Sequence, residues 1–276
     1  MTAAGKLNDI SKTIILVGAG KMGGAMLESW LGLGLSPKYV TIIEPQPSDD
    51  VKAMAGRGIK LNPPPDKMGD TVAVILAVKP QAAAEAVPPL AAWLRPATLV
   101  VSIMAGKTLA FLERALPNTV IVRAMPNTPA AIGRGITVAV ANARVTPAQR
   151  DLAHRLLAAT GTVEWVDDET LMDAVTAVSG SGPAYVFLLV ESLTKAGIAA
   201  GLPAELAAKL ARETVAGSGE LLHRSRLDPA TLRQNVTSPG GTTAAALEVL
   251  MAADGLDPLL KKAIAAAVKR SRELAG

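Results

Sequence analysis

The sequence contains no cysteine and only two histidines, His154 and His223, among its 276 residues. Without thiols, the chain has no disulfides, no thiolate metal site and no cysteine nucleophile. With so few histidines, a metal site built on imidazole groups is not expected either. Phenylalanine, tryptophan and tyrosine together make up only 3% of the residues, too few for a surface that stacks nucleic-acid bases. We therefore expect neither a metal nor a nucleic-acid partner.

The chain also lacks a long hydrophobic run. Its most apolar strand-like stretch, residues 71–78, is much shorter than a membrane-spanning helix, and residues 1–10 contain no long apolar core typical of a signal peptide. We expect a soluble, cytoplasmic protein that has no membrane contact. The net charge is +4, with basic and acidic side chains mixed along the chain. A single basic cluster lies near the C-terminus, where it would complement the dipole of a final helix: Lys261, Lys262, Lys269, Arg270 and Arg272.

A β-branched run at residues 13–17 gives way to the turn Gly-Ala-Gly-Lys-Met-Gly at residues 18–23, which helix-forming residues follow. Strand, G-x-G-x-x-G turn and helix in this order are typical of a dinucleotide-binding βαβ unit. Gly18 is expected to make the turn, Gly20 to let the backbone approach a pyrophosphate, and Gly23 to let helix and strand pack closely. The pyrophosphate would lie on free N–H groups at the helix N-terminus. The alternative is a tight turn that binds nothing.

Two further strand ends carry residues that point to a dinucleotide. Glu44 follows the predicted strand 39–43 and lies about twenty residues past the glycines, where an acidic side chain commonly hydrogen-bonds the adenosine ribose. This spacing favours NAD, because a carboxylate repels the 2′-phosphate of NADP; alternatively, Glu44 points to water. Lys79 follows the strand 71–78, and ligands of open α/β sheets bind beyond the carboxyl ends of the strands. Lys79 is therefore placed to meet the cofactor, unless it is an ordinary surface lysine.

Apolar runs of strand length alternate with helical segments through residue 166 and then stop. The remaining predicted strands are 98–103, 119–124, 136–141 and 162–166, and the predicted helices are 25–31, 49–56, 81–94, 108–116 and 147–159. From residue 167, alanine-rich helices continue to the end. This order predicts an α/β protein in which an N-terminal Rossmann dinucleotide-binding domain, residues 1–166, precedes an all-helical C-terminal domain, residues 167–276.

One helical segment of the C-terminal half, residues 185–190, is apolar on every side. A helix with this pattern has to be buried all round. So small a helical domain can hardly bury such a helix by itself. We therefore expect the helical domain to form a homodimer.

Two glycine-rich segments interrupt the helical half, Ser-Gly-Ser-Gly-Pro-Ala at residues 179–184 and Val-Thr-Ser-Pro-Gly-Gly-Thr-Thr at residues 236–243. In the first, Ser181 can cap a helix that Pro183 begins. In the second, hydroxyl groups and free N–H groups crowd a helix N-terminus, which suits a small carboxylate. Ordinary capping, the alternative, would need one hydroxyl residue and not the four present, Thr237, Ser238, Thr242 and Thr243.

With these motifs in this order, the chain resembles the pyrroline-5-carboxylate reductase family. The resemblance rests on residues 18–23, Ala-Val-Lys-Pro at 77–80, Met-Pro-Asn-Thr-Pro at 125–129, and the two segments at 179–184 and 236–243, and it extends over residues 13–274. It implies reduction of 1-pyrroline-5-carboxylate to L-proline, the last step of proline biosynthesis, with NADPH or also NADH. It further implies a helical domain that interlocks with a partner subunit, in dimers that often assemble into decamers.

The resemblance also implies which residues form the site. Those assigned to the cofactor are Val17, Gly18, Ala19, Gly20, Lys21, Met22, Gly23, Glu44, Ala77, Val78, Lys79 and Ala105, the last near the nicotinamide. Those assigned to the substrate are Ser238, Gly240, Gly241, Thr242 and Thr243, where backbone N–H groups would hold the carboxylate. The Thr243 hydroxyl would reach the ring nitrogen as the catalytic group. At the adenosine end the chain departs from the family pattern: Glu44 stands where many relatives have small polar residues, and residues 63–66 offer no matching asparagine.

Two other functions fit parts of the pattern. β-Hydroxyacid dehydrogenases and imine reductases share the Rossmann-plus-helices architecture, but they generally use a lysine on the helix after the linker. Lys195, the only lysine in the first long predicted helix, falls near its end. A non-catalytic nucleotide sensor would keep the fold but would need no polar loop at residues 238–243. The presence of that loop favours catalysis.

Overall fold

The computed structural model describes residues 5–64 and 69–275. The start of the N-terminal segment and the end of the proline-rich loop, to which Pro65 and Asp66 belong, lie outside these residues. The described chain forms two compact units. The first contains the residues up to Gly180 together with the stretch from Val268, and the second is Ser181–Ala267.

The first unit is built on an eight-stranded sheet. Its strands are β1 (Thr13–Val17), β2 (Val40–Ile43), β3 (Lys60–Leu61), β4 (Thr71–Leu76), β5 (Leu99–Ser102), β6 (Val120–Met125), β7 (Gly135–Ala141) and β8 (Gly161–Trp165). They lie in the order β3-β2-β1-β4-β5-β6-β7-β8. Neighbouring strands are parallel except β6 and β7, which are antiparallel. The first six follow the strand order of a doubly wound dinucleotide-binding sheet, which confirms the predicted Rossmann domain.

Helices cover both faces of this sheet, and for that reason its strands are nearly continuous apolar runs. The helices of the first unit are α1 (Lys21–Gly32), α2 (Asp49–Ala55), α3 (Ala83–Ala86), α4 (Leu109–Ala115), α5 (Pro147–Ala158) and α6 (Met172–Val175). On β1, Ile14 belongs to the core under α1 and α5, whereas Ile15 belongs to the core under α3 and α4. The buried Trp30 indole joins α1 to α5 by donating to the Leu156 carbonyl at 2.8 Å.

The helix predicted at residues 81–94 is broken in the structure. Pro80–Ala82 and Pro88–Trp93 are 3₁₀-helical, and only the short α3 between them is α-helical. Pro88 and Pro89 have no backbone N–H to donate into an α-helix, and their rings clash with the preceding turn. The sequence pattern also does not predict β3, since two residues that pair with β2 alone leave no hydrophobic period to detect.

The regular elements among the described residues of the second unit are all helices, as predicted. The unit contains α7 (Gly182–Ala199), α8 (Ala204–Arg224), α9 (Pro229–Asn235), α10 (Thr242–Leu250) and the larger part of α11 (Leu256–Ala275). Helices α7 and α8 approach closely at Gly197, where an added Cβ would lie 3.2 Å from the Cβ of Ala207. None of the described residues of α7 is buried within the single chain. Phe187 and Leu188, from the segment expected to be buried, are 62% and 58% exposed.

Among the described residues, one helical stretch, Glu169–Ala199, is long and apolar enough by length and composition to cross a membrane. Only 6% of its most apolar window is buried inside the chain. Core helices of soluble proteins meet the same criteria when another element covers them. The apolar surface of α7 therefore needs a cover that this chain alone does not supply.

The sheet ends at Trp165, but polar contacts hold the following helical turns to it. The Arg123 guanidinium on β6, 5% exposed, pairs with the Glu169 carboxylate at 2.7 Å. The same carboxylate accepts a hydrogen bond from the backbone N–H of Leu109, at the start of α4, at 2.7 Å. The compact unit accordingly extends to Gly180. The prediction that the Rossmann domain ends at residue 166 and the helical domain begins at residue 167 remains a proposal.

Replacing Glu169 by alanine should destabilise the first unit by about 3 kcal/mol, because it leaves the buried Arg123 guanidinium without a counter-charge. It also removes the acceptor for the first N–H of α4. Urea unfolding followed by circular dichroism measures the loss. The exposed Glu164 on β8 provides the control: Glu164→Ala should change the free energy of unfolding by less than about 0.5 kcal/mol. Equal losses in the two variants would contradict the role given to the Arg123 pair.

Candidate functional site

The glycine turn between β1 and α1 is packed against the backbone of the neighbouring strand end. Gly18 has a φ of +91°, and a Cβ there would lie 2.8 Å from the carbonyl carbon of Ala77. A Cβ on Gly23 would overlap the Gly18 carbonyl oxygen. Side chains are therefore excluded at both positions, one by conformation and close approach, the other by contact between the helix and the turn.

Gly20 differs from the other two glycines because nothing lies within 4 Å of an added Cβ. It is the N-cap of α1, no side chain caps the helix in the described structure, and the first turn contains no acidic residue. The first N–H groups of a helix have no partner within the helix, and its dipole favours an anion. Open space before uncapped N–H groups fits the pyrophosphate of a dinucleotide.

The turn opens into a cleft of about 1510 Å³ on the first unit. Nine of the twelve residues predicted to contact the cofactor line this cleft: Val17, Gly18, Ala19, Gly20, Lys21, Glu44, Ala77, Val78 and Lys79. The carboxyl ends of β1, β2 and β4 thus converge on one surface, as expected for an open α/β sheet. Met22, Gly23 and Ala105 are not among the lining residues. Gly23 acts through packing, and the half-buried Ala105 lies after β5.

Glu44 is held at the rim of the cleft by contacts with the glycine turn. Its Oε2 accepts a hydrogen bond from the backbone N–H of Ala19 at 3.0 Å. Its Oε1 accepts one from the backbone N–H of Gln46 at 3.2 Å. The carboxylate is thus fixed against the turn that would hold the pyrophosphate, and does not simply point to water.

Asn62 belongs to the same arrangement and is absent from the predicted site. Its side-chain amide donates to the Glu44 carbonyl at 2.9 Å, and its side-chain oxygen accepts from the Glu44 N–H at 2.9 Å. Asn62 has a φ of +46°, a left-handed conformation that asparagine adopts more readily than most residues. An asparagine directly before a run of prolines is the signal that sequence reasoning could have used.

The predicted substrate segment lies in the second unit, at the N-terminus of α10. Gly241 is the N-cap, no side chain caps the helix in the described residues, and its first turn contains no acid. Gly240 has a φ of +71°, and a Cβ on Gly241 would overlap the Ser238 hydroxyl. Thr243 is half-buried, whereas Ser238 and Thr242 are exposed. The arrangement resembles the α1 N-terminus in leaving backbone N–H groups free for an anion.

Thr237, within the segment 236–243, and Asp228, before it, are already used for local structure. The Thr237 hydroxyl donates to the Arg233 carbonyl at 2.7 Å, so only three of the four predicted hydroxyl groups stand at the α10 N-terminus. The Asp228 carboxylate caps α9 by accepting from the backbone N–H of Thr231 at 3.0 Å and its hydroxyl at 2.6 Å. These bonds, the hydroxyl first, lower the pKa of Asp228. The stabilisation of this cap is present above the ordinary aspartate pKa and is lost as the pH falls.

Two other polar side chains, His154 and Lys195, do not form a second site among the described residues. His154 Nδ1 accepts a hydrogen bond from the Trp165 indole at 3.3 Å, and Lys195 is exposed on α7. Across the residues that the structure describes, no three or more histidine, aspartate or glutamate side chains are grouped to hold a metal ion.

Two protein families match separate segments of the chain. Residues 13–106 match the family described as NADP oxidoreductase, coenzyme F420-dependent. Residues 169–274 match the family described as pyrroline-5-carboxylate reductase dimerisation. Apart from Ala131, the residues that line the cleft fall in the segment that resembles NADP oxidoreductases, and the exposed α7 falls in the segment that resembles a dimerisation domain.

Whole-chain relatives extend the match over nearly every residue. A pyrroline-5-carboxylate reductase of Pseudomonas aeruginosa is 40% identical over 264 residues, which cover 95% of this chain and 96% of the relative. A solved pyrroline-5-carboxylate reductase from Coxiella burnetii is 33% identical with a TM-score of 0.87, covering 96% of this chain and 99% of that one. A pyrroline carboxylate reductase from Plasmodium falciparum, solved with NADP bound, is 27% identical with a TM-score of 0.81 and the same coverage.

A methyl group on Gly20 should weaken dinucleotide binding without weakening the fold. Gly20→Ala has room for its Cβ, but the methyl occupies the space before the α1 N–H groups. We expect the Kd for NADH or NADPH to rise at least about tenfold, with the midpoint of thermal unfolding nearly unchanged. Fluorescence titration and a thermal melt measure the two quantities.

Gly23→Ala is the matched variant, because its methyl group points into the fold. It should lower the midpoint of thermal unfolding by several degrees, as overpacking typically costs about 1–3 kcal/mol. If Gly20→Ala unfolded as readily as Gly23→Ala, or bound the cofactor normally, the roles assigned to these glycines would be wrong.

Proposed function

The chain belongs to the pyrroline-5-carboxylate reductase family, and we propose that it reduces 1-pyrroline-5-carboxylate to L-proline, the final step of proline biosynthesis, with NAD(P)H. The observation that carries this function is the pair of uncapped helix N-termini behind glycines, at α1 and at α10. One suits a pyrophosphate and the other a small carboxylate. An NAD(P)H-dependent reductase of a cyclic imino acid needs both.

When bound, the reduced nicotinamide supplies the hydride that reduces the ring C=N bond. The glycine turn holds the pyrophosphate on the α1 N–H groups. Backbone N–H groups at Ser238, Gly240 and Thr242 bind the substrate carboxylate. Gly241, whose own N–H donates to the Ser238 carbonyl at 3.0 Å, closes the turn that presents them. The Thr243 hydroxyl donates a hydrogen bond to the ring nitrogen as the amine forms. A protonated imine is already strongly electrophilic, so these residues contribute mainly by orienting the ring. The reaction therefore does not require a histidine base.

We further propose that the chain works as a homodimer that can assemble into decamers, in the cytoplasm and without membrane contact. The exposed apolar surface of α7 supports self-association, and α7 lies within the segment that matches a dimerisation domain. A second copy of this helical unit would bury that surface. This assigns the apolar stretch Glu169–Ala199 to a subunit interface and not to a bilayer.

The activity is tested by following the oxidation of NADPH and of NADH separately, through the absorbance of the reduced nicotinamide ring, with 1-pyrroline-5-carboxylate present. Proline should accumulate in proportion to the cofactor consumed. Cofactor binding without turnover would instead favour an imine reductase with another substrate, or a silent nucleotide binder.

Loss of the Thr243 hydroxyl should lower turnover more than cofactor affinity. In Thr243→Ala we expect kcat to fall about tenfold to a hundredfold, because one hydrogen bond to the developing amine is lost. The Kd for the cofactor should stay within about twofold. Thr243→Ser keeps the hydroxyl and should retain most of the activity. An alanine variant with normal kcat would remove Thr243 from the catalytic role.

A charge on α7 should disrupt self-association. The wild-type chain is expected to sediment as a dimer or a larger assembly at micromolar concentration. Phe187→Glu should shift it toward monomer, because burying an unpaired carboxylate costs several kcal/mol, whereas the apolar Phe187→Leu should not. A monomeric wild type, or a Phe187→Glu variant that still assembles, would contradict the proposed interface.

A further inference from the structure

We propose that this chain prefers NADH to NADPH, with Glu44 as the specificity-determining residue and Asn62 as the residue that positions it. This inference rests on the proposed function only for the class of cofactor, a nicotinamide dinucleotide. It concerns the adenosine end of that cofactor, whereas the proposed reaction takes place at the nicotinamide. It departs from the NADPH use that the family resemblance implies. The reasons lie in how the Glu44 side chain is fixed and in the charges around it.

The Glu44 carboxylate stands where a dinucleotide ribose is recognised in Rossmann domains. It follows β2 and contacts the glycine turn through the bond from the Ala19 N–H to Oε2. Each carboxylate oxygen accepts one backbone N–H, from Ala19 or Gln46, and keeps a free lone pair. Those lone pairs can accept hydrogen bonds from ribose hydroxyl groups. A 2′-phosphate in place of the 2′-hydroxyl would instead bring two anions together.

Asn62 prevents Glu44 from moving away from an incoming phosphate. Its side chain bonds both the N–H and the carbonyl of Glu44, at 2.9 Å each. Its own N–H donates to the Ile42 carbonyl on β2 at 2.8 Å. The backbone of Glu44 is thus clamped on one side by Asn62, while its carboxylate is bound on the other by the turn. A side chain fixed in this way keeps its charge at the ribose position.

Acidic side chains outnumber basic ones among the residues that line the cleft: Glu28, Glu44, Asp50 and Glu85 against Lys21, Arg57 and Lys79. Lys21 belongs to the glycine turn and Lys79 to the end of β4, not to the segment that follows β2. Residues 44–51 contain three acids, Glu44, Asp49 and Asp50, and no lysine or arginine. Arg57, which lines the cleft, pairs with Glu28 at 3.0 Å. Lys52 pairs with Asp49 at 2.9 Å. Recognition of a 2′-phosphate ordinarily uses an arginine or lysine aimed at it. NADPH would therefore meet net repulsion at its adenosine end.

Equilibrium titration of the purified full-length protein with NADH and with NADPH tests the preference without relying on turnover. We expect NADH to bind at least about tenfold more tightly. Raising the salt concentration from about 0.05 M to about 0.5 M should narrow this difference, since salt screens repulsion from the 2′-phosphate. The pyrophosphate is common to both cofactors, so its own salt dependence cancels in the ratio.

Three variants separate the role of Glu44 from a general effect of charge. Glu44→Gln keeps an oxygen for the Ala19 N–H but loses the charge, and should reduce the NADH-to-NADPH affinity ratio about tenfold. Asn62→Gly retains the left-handed backbone while removing the clamp, and should reduce the ratio about threefold. Asp50→Asn removes an equal charge elsewhere in the cleft and should change the ratio less than about twofold.

The outcomes distinguish this inference from the proposed reaction. NADPH binding as tightly as NADH, a ratio insensitive to Glu44→Gln, or an equal effect of Asp50→Asn would overturn the preference assigned to Glu44. Turnover of 1-pyrroline-5-carboxylate with NADPH would in those cases still support the proposed reaction. Failure of both cofactors to bind would overturn the dinucleotide site and this inference together.

Discussion

The close approach of α1 to the ends of β1 and β4 is the constraint on which the site depends. At Gly18 the chain turns with a positive φ against the Ala77 backbone, and at Gly23 the helix meets the Gly18 carbonyl with no room for a methyl group. This contact sets where α1 begins. It thereby aims the unpaired N–H groups of the first helical turn into the cleft. Gly20, where an added Cβ would meet no other atom, lies between Gly18 and Gly23, where an added Cβ would collide with the backbone.

The parts of the fold that could be predicted are those encoded over short stretches of sequence. The turn at residues 18–23, the buried parallel strands and the change to helices after the sheet each leave a local pattern. The break caused by Pro88 is also local, but an alanine-rich helical composition obscures it. The partnership of Asn62 with Glu44 spans 18 residues, and the pairing of Arg123 with Glu169 spans 46. Such contacts form only in the folded chain, and the hydrophobic periodicity along the sequence does not reveal them.

The hydrophobic pattern of α7 predicts a buried helix, yet the single chain leaves this helix exposed. Phe187, Leu188 and their neighbours stay exposed because the helical unit has too few elements to surround them. The sequence determines that α7 has an apolar surface. It does not determine whether the same chain or a second copy of the chain buries that surface. For the same reason, the stretch Glu169–Ala199 is long and apolar enough by length and composition to cross a membrane, although little of it is buried inside the chain.

The two proposed anion sites share one arrangement, a glycine N-cap before a helix whose first turn lacks acids. This arrangement binds negative charge without distinguishing one anion from another, because backbone N–H groups are identical along every chain. Discrimination has to come from side chains placed beside it. At α10 the neighbouring side chains are hydroxyl groups, which can bond a ring nitrogen as well as a carboxylate. At α1 the neighbour is a carboxylate that already accepts a bond from the Ala19 N–H. Under the proposed preference, Glu44 would link cofactor selection to the glycine turn itself. A substitution at this position would then change both the preference and the support of the loop proposed to hold the pyrophosphate.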